Sequence, residues 1–165
     1  MSIIHTIKEL KNLDKNVTYL IFGTFFNKQI IIPQNVTHLT FGCQRHSVFF
    51  EKKIGYYFNQ QIIISQNVTY LTFGDYFNKQ IIIPQNITHL SFGYYFNQQI
   101  KIPQNVTYLT FGFYFNQQII IPTNVTHLKF GWCFNQQIKI PQNITHLTFG
   151  QKAPLFRKEN NVFLT

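Results

Sequence analysis

The sequence predicts a mainly β protein, a parallel β-solenoid of stacked repeats of about 19 residues with a short cap at each end. Three observations predict it: an asparagine recurs at intervals of 19 residues, each interval carries the same apolar pattern, and no interval has room for a long helix. Of the 165 residues, 45% are apolar, 18% aromatic and only 12% charged. This composition excludes a disordered chain and a soluble coiled coil, and it provides for one domain with a core.

One column of asparagines defines the repeat. Intervals of 19 residues separate Asn16 from Asn35 and all successive members from Asn67 onward, whereas 32 residues separate Asn35 from Asn67. A unit of this size cannot bury its own apolar face, so the units must stack, with like residues above like. Each asparagine begins an N-x-T glycosylation acceptor, but we interpret the column as a structural ladder of amides at a corner. The ladder consists of Asn16, Asn35, Asn67, Asn86, Asn105, Asn124 and Asn143.

Each repeat is predicted to contain two short strands and two corners. Thr107 to Phe111 alternates in polarity and ends before Gly112, which predicts the first strand. Gln118 to Ile121 alternates before Pro122, which cannot donate to a β ladder, and this predicts the second. The side chains expected in the core are Val106, Leu109, Phe111, Phe115, Ile119, Ile121 and their equivalents.

Three segments are predicted along the chain: an N-terminal cap at 1–15, the solenoid at 16–150 with an irregular insert at 43–54, and a C-terminal cap at 151–165. In the first cap, Ile3, Ile7 and Leu10 have helical spacing, which predicts a capping helical turn. The insert is either an eroded repeat that bulges from the stack or a recognition loop. Its candidate binding residues are Arg45, Lys52 and Lys53, with His46 between them.

Residues 115–131, FNQQIIIPTNVTHLKFG, resemble the FNIP repeat, a family named for its F-N-x-x-I-P signature and found mainly in giant viruses and social amoebae. The frame P-x-x-V-x-x-L-x-F, which begins at Pro122, is similar to that of leucine-rich repeats. The resemblance covers residues 16–150 and implies a leucine-rich-repeat-like solenoid with a concave sheet face. Many FNIP proteins also resemble ubiquitin-ligase receptors, because an F-box precedes their repeats. Only 15 residues precede the first repeat here, too few for an F-box.

The outward positions of the first strand form the predicted binding face. A tyrosine or histidine precedes each repeated leucine, and an aromatic residue follows most of the glycines in the C-terminal half. Protein interfaces favour such residues, so we expect a non-catalytic scaffold for protein–protein interaction; the alternative is that the rings only stabilise the sheet. The candidate partner-binding residues are Tyr70, His89, Tyr94, Tyr108, Phe113, His127, Trp132 and His146.

The net charge of +9 leaves a second class of partner open. The lysines are dispersed along the repeats, as expected for residues that keep a sheet soluble, yet a basic solenoid with aromatic rings could also bind nucleic acid. Solenoid ends have unpaired edges, which leaves self-association through the ends open as well. The ubiquitin-ligase role implied by the resemblance is the further alternative.

No enzyme, cofactor or metal site is predicted. None of the five acidic residues, Glu9, Asp14, Glu51, Asp75 and Glu159, recurs near a histidine in the repeat register. His127 and His146 are adjacent but lack a third ligand, and His89 lies two coils from His127, about 10 Å at strand spacing. Every glycine is isolated, so no loop is suited to cradle a phosphate.

The sequence also predicts where the protein works. No signal peptide begins the chain, and no run approaches the ~18 apolar residues needed to cross a bilayer. Cys43 and Cys133 lie far apart in the repeat register, which suits a reducing compartment. We therefore expect an intracellular, cytoplasmic protein without membrane contact, in the host cytoplasm if it is viral.

Overall fold

A parallel β-sheet joins the repeats in the computed structural model, which describes residues 2–4, 8, 9, 12–14, 16–42 and 58–150. Eight strands lie side by side in chain order, so each repeat adds one strand next to the preceding one. The strands are β1 Ser2–Ile4, β2 Tyr19–Phe22, β3 His38–Phe41, β4 Tyr70–Thr72, β5 His89–Ser91, β6 Tyr108–Thr110, β7 His127–Phe130 and β8 His146–Phe149.

The strand register places like residues above like. Leu90 pairs with Leu109, and Leu109 pairs with Leu128. The longer interval keeps this register, because Leu39 pairs with Leu71 across it. The predicted fold class, a parallel β-solenoid of stacked repeats, is therefore confirmed.

Two four-residue turns close each 19-residue unit, which we call a coil. In the first turn, a Gly carbonyl accepts from the Phe amide three residues later, as from Phe96 to Gly93 at 3.4 Å. In the second, a Pro carbonyl accepts from the Val or Ile amide that follows Asn, as from Val106 to Pro103 at 3.2 Å. The glycine is required because coils touch there: a Cβ on Gly112 would lie 2.1 Å from the carbonyl oxygen of Gly93.

The core consists of the six predicted columns. In the coil that begins at Asn105, Val106 and Phe115 are fully buried, and the remaining four side chains are at most 8% exposed. The two phenylalanines of this coil, Phe111 and Phe115, pack with ring centroids 3.8 Å apart. Equivalent rings lie 5.2–5.6 Å apart between coils in the Phe111 column but 6.0–6.1 Å apart in the Phe115 column. The coils thus diverge away from the sheet, as in a curved stack with the sheet on its inner side.

The predicted second strand, Gln118 to Ile121, is wrong, since the structure places no strand there. The alternation itself is present: Ile119 and Ile121 are 8% and 5% exposed, whereas Ile120 is 89% exposed. The divergence of the coils explains the difference. Neighbouring strands must lie about 4.8 Å apart to share backbone hydrogen bonds, and the rings of the adjacent Phe115 column are already 6.0–6.1 Å apart.

The N-terminal segment also differs from its prediction as a helical turn. Ile3 lies in strand β1, which extends the sheet by pairing Ser2 with Leu20 and Ile4 with Phe22. Ile4 takes the buried place of a core phenylalanine at 3% exposure, while Ile3 is 51% exposed. Periodicity cannot separate strand from helix in so short an apolar run. A helical turn does follow at residues 8 and 9; the insert at 43–54 and the cap at 151–165 lie outside the described residues.

Candidate functional site

A stack of seven rings follows the outward face of the sheet. Each coil contributes the residue that precedes its buried leucine, and in-register pairing places these rings in one line. Successive centroids are 3.9–4.2 Å apart, with planes inclined by at most 19°. The members of this Tyr/His column are Tyr19, His38, Tyr70, His89, Tyr108, His127 and His146.

Threonine hydroxyls fix the orientation of the imidazoles. In each of the four histidine coils of the column, Nδ1 lies 2.9 Å from Oγ1 of the preceding threonine. That hydroxyl also reaches the preceding coil, as where Thr126 Oγ1 donates to the Thr107 carbonyl at 3.3 Å. A hydroxyl has one proton to donate, so while Thr126 donates to the carbonyl, Nδ1 of His127 donates to Thr126. In a neutral ring this is the Nδ1–H tautomer, in which Nε2 is an acceptor.

Crowding of the rings affects their protonation. Desolvation by partial burial lowers the pKa of His38 below its ordinary value of 6.5. Desolvation also lowers the pKa of His89, with smaller contributions from the charges of His38 and His127. At His127 the same burial lowers the pKa first, and the charge of His146 lowers it further. The lowered pKa values favour neutral imidazoles in the column. A neutral imidazole can take part in a contact surface by hydrogen bonding.

Only the edges of the rings are accessible. Rings stacked at 3.9–4.2 Å cover one another's faces along the column. The tyrosines are nevertheless 40–46% exposed, so their outer edges are accessible. Such an edge presents the phenol hydroxyl of each tyrosine and the second ring nitrogen of each histidine. The column is thus a line of hydrogen-bonding groups on an apolar backing.

A second aromatic group lies at the turn that follows the strand. Tyr94 stacks on Phe113 at 4.8 Å, and Phe113 is parallel to Trp132 at 6.2 Å. The residues that follow them in the turn add edge contacts, such as Tyr94 to Tyr114 at 5.2 Å and 89°. We call Tyr94, Phe113 and Trp132 with Tyr95 and Tyr114 the corner aromatics. Between this group and the Tyr/His column runs a third column, composed mainly of threonine and serine, which we call the small polar column; it includes Thr110 and also the exposed Lys129.

The structure assigns the predicted partner-binding residues to two groups. Tyr70, His89, Tyr108, His127 and His146 lie in the Tyr/His column, and ring contacts run along that column from coil to coil. Tyr94, Phe113 and Trp132 form the separate stack at the turn. Arg45, Lys52 and Lys53 lie outside the described residues.

The asparagines of the N-x-T motif contact the backbone of the preceding coil. Nδ2 of Asn105 donates to the Gln85 carbonyl at 2.8 Å, and Asn86 makes the equivalent bond to Gln66 at 2.7 Å. The threonine of the motif also bonds backward, with Thr107 Oγ1 donating to the Thr88 carbonyl at 3.2 Å. Both polar side chains of the motif are therefore used between coils.

A second asparagine column forms a ladder in which each asparagine side chain bonds directly to the next asparagine of the column. Oδ1 of Asn97 accepts from the backbone N–H of Asn116 at 2.9 Å and from Nε2 of Gln117 at 3.1 Å. The same bond between successive asparagine positions recurs at 2.8–3.1 Å through the column. The column comprises Asn27, Asn59, Asn78, Asn97, Asn116 and Asn135.

One exposed apolar column was not singled out from the sequence. Ile31, Ile63, Ile82 and Ile120 are 87–90% exposed on the side of the coil away from the sheet. A signal was present in the sequence, because Lys101 and Lys139 occupy the same repeat position and a lysine there requires solvent. The corner tyrosines Tyr95 and Tyr114, 37% and 43% exposed, were missed as well.

Within the described residues, the structure brings together no group of three or more His, Cys, Asp or Glu side chains that could hold a metal. The stacked pair His127 and His146 contributes two ring nitrogens at most. In the same part of the chain Cys133 is a free thiol, and no helix there has the length and apolar character to span a membrane.

Comparison with known families gives one result of wide coverage. The model described as FNIP Repeat matches five stretches, residues 8–44, 58–95, 82–114, 96–131 and 115–152, of which the last four overlap. These stretches include every complete coil of the described solenoid. No curated protein matches the chain in sequence.

Proposed function

Since the chain belongs to the FNIP repeat family, whose stacked coils form a repeat scaffold here, we propose that it is a non-catalytic protein-binding scaffold. Its binding surface is the outward sheet face, made of the Tyr/His column, the neighbouring small polar column and the corner aromatics. The observation that best supports this proposal is the unbroken stack of seven outward rings, with successive centroids 3.9–4.2 Å apart. A rigid array of aromatic edges loses little entropy on binding, which suits a protein interface.

The arrangement of the rings favours a protein over nucleic acid. Nucleic-acid bases bind to single-strand platforms by stacking on the faces of aromatic rings. Here each face inside the column is covered by the next ring, as in the Tyr108 and His127 pair at 4.1 Å and 19°. The accessible hydroxyl and ring-nitrogen edges instead suit backbone and side-chain groups of a folded partner.

The proposal is tested by adding one negative charge to the sheet face. Thr110→Glu places a carboxylate beside the rings, and Gln85→Glu places the same charge at an exposed turn off that face. Wild type and Gln85→Glu should recover the same protein from cells of the source organism, whereas Thr110→Glu should lose at least about nine-tenths of it, a change of about 1.4 kcal/mol in binding. Thermal unfolding of both variants confirms that they fold.

Equal recovery by Thr110→Glu and wild type would overturn the proposal, as would recovery that nuclease treatment removes. Ubiquitin-ligase subunits among the proteins lost by Thr110→Glu would identify the scaffold as a substrate receptor of that system. Other proteins would support a general scaffold.

A further inference from the structure

The side of the solenoid away from the sheet carries two exposed columns that the sheet-face proposal does not use. On this side the residues that alternate with the buried isoleucines of the coil point outward. One column is entirely glutamine, as at Gln80, Gln99 and Gln118. The other, which we call the Ile/Lys column, consists of Ile31, Ile63, Ile82, Lys101, Ile120 and Lys139.

The isoleucines of this column are unusual surface residues. They are 87–90% exposed, more than any other large apolar side chain on the described surface. Single exposed apolar residues are ordinary, but a contiguous row of them marks an interaction site. Ile31, Ile63 and Ile82 belong to three successive coils, so they form such a row.

A shallow groove follows the centre of the column. Its volume is about 1030 Å³, and Ile82, Lys101 and Ile120 line it together with the glutamines of the neighbouring column. The groove therefore offers apolar contacts at two coils with a single cation between them.

The charge of this side has one sign. Neither exposed column contains an aspartate or glutamate at any repeat, whereas the Ile/Lys column carries two lysines. Lys101 and Lys139 alternate with Ile120 along the axis of the stack. An occupant that complements the column must place apolar groups over the isoleucines and carboxylates over the two lysines.

The spacing of the coils and the absence of a ladder limit the shape of the occupant. On the turn that leads to this side, equivalent rings of the Phe115 column repeat every 6.0–6.1 Å. An α-helix advances about 5.4 Å per turn and same-face residues of a strand about 6.6 Å, so both stay near the coil spacing over the three coils of the groove. Within the described residues no strand lies on this side to share backbone hydrogen bonds with an extended segment, whereas a helix forms its own. A helix laid along the groove thus presents one side chain to each of its three coils.

We propose that the Ile/Lys column binds an amphipathic, acidic α-helix of a protein partner, laid parallel to the solenoid axis. Its apolar residues, at successive turns, cover Ile31, Ile63, Ile82 and Ile120. Its carboxylates, at the turns between and beyond, meet Lys101 and Lys139. This is the helix-in-groove mode of recognition, on the opposite side of the core from the sheet face.

A second copy of the chain is the less suitable occupant. A two-fold contact centred on the groove would set Lys101 against Lys101 of the other copy. The net charge of +9 also opposes association of like chains.

Two synthetic helical peptides of about 20 residues test the proposal, a length that covers the column at 1.5 Å per residue. Both carry leucine at the turns over the isoleucines; one carries glutamate and the other lysine at the turns over Lys101 and Lys139. Fluorescence anisotropy with the wild-type chain should show binding of the acidic peptide at least about tenfold tighter than that of the basic peptide.

Three variants locate the contact. The double variant Lys101→Glu with Lys139→Glu should reverse the preference between the peptides, which loss of folding cannot do. Ile82→Gln with Ile120→Gln should weaken the acidic peptide about tenfold or more. Lys129→Glu, the same type of substitution at a single position on the sheet face, should behave as wild type.

Equal binding of both peptides would overturn the proposal, as would an equal effect of Lys129→Glu and the double lysine variant. A wild-type chain that dimerises in light scattering, and becomes monomeric with Ile82→Gln and Ile120→Gln, would also overturn it, because a second copy would then be the occupant. Thr110→Glu should leave peptide binding unchanged, so failure of the sheet-face proposal is separately visible.

Discussion

Oδ1 of Asn97 accepts the backbone N–H of Asn116 at 2.9 Å, although the two residues are separated by a full coil. The same oxygen accepts from Gln117 Nε2 at 3.1 Å. One amide therefore satisfies a backbone donor on the side of the coil where no strand ladder is present. These ladder bonds hold the diverging half of the stack together, as strand pairing holds the sheet half.

Removal of this amide should destabilise the fold. Asn97→Ala leaves the partly buried N–H of Asn116 without its acceptor, and we expect a loss of about 1–3 kcal/mol in the free energy of unfolding. Urea unfolding followed by circular dichroism measures the change. Asn97→Asp keeps an acceptor oxygen and should lose less; an alanine variant as stable as wild type would show that the ladder contributes nothing.

Gly112 should not tolerate a methyl group. A Cβ there would lie 2.1 Å from the oxygen and 2.4 Å from the carbonyl carbon of Gly93, and that neighbour is backbone and cannot turn aside. We expect Gly112→Ala to cost about 1–3 kcal/mol or more through overpacking. Thr123→Ala at an exposed turn is the matched control, expected within about 0.5 kcal/mol of wild type in the same urea experiment. Equal stability of both variants would contradict the close approach.

Adjacent isoleucines should differ sharply in their tolerance of a polar residue. Ile121 is 5% exposed and Ile120 is 89% exposed. Ile121→Gln buries an amide among apolar side chains and should cost about 2 kcal/mol or more, whereas Ile120→Gln should change the stability by at most about 0.5 kcal/mol. A similar loss in both variants would refute the alternation on this side of the coil.

Stability should fall as the solution is acidified below pH 6.5. The pKa values of His38, His89 and His127 are lowered in the folded chain, so the unfolded chain binds these protons more tightly. Their stabilising contribution is present above the unfolded value of 6.5 and is lost as pH falls through the folded values. Urea unfolding at pH 7.5 and 5.5 measures this dependence.

Tyrosine provides the control for that titration, because it occupies the equivalent place in alternate coils. The triple variant His38→Tyr, His89→Tyr and His127→Tyr keeps rings in the column and removes three titrating groups. Its stability should change less between the two pH values than that of wild type. An unchanged pH dependence would mean that other groups, such as carboxylates, cause it.

Local pattern predicted most of this fold, and its limits have physical causes. The spacing of the asparagines and the alternation around Leu109 determine the register and the core, because a parallel stack can align them in only one way. The spacing between coils is a property of the whole stack. The wide spacing on the side away from the sheet prevents strand pairing at Gln118–Ile121. Alternation within one coil cannot reveal that spacing.

The candidate site was predictable to a similar extent. The outward position of His127 and Tyr108 follows from the buried Leu128 and Leu109, but their stacking depends on the distance between coils. Alternation at 118–121 places Ile119 and Ile121 inward and leaves Ile120 outward, but the column that Ile120 forms with its equivalents was not recognised as a surface, although the lysine at the same position of other repeats signals exposure.

Tyrosine and histidine alternate along the column from Tyr19 to His127, and this alternation limits which numbers of repeats the chain can lose without changing the order of its rings. Deletion of residues 86–104, one unit, would bring Tyr70 onto Tyr108 and shift the phase of every ring beyond it. Deletion of 86–123, two units, would set Tyr70 on His127 and preserve the pairing. If the sheet face is what selection preserves, unequal recombination between the near-identical gene segments should be retained in steps of two.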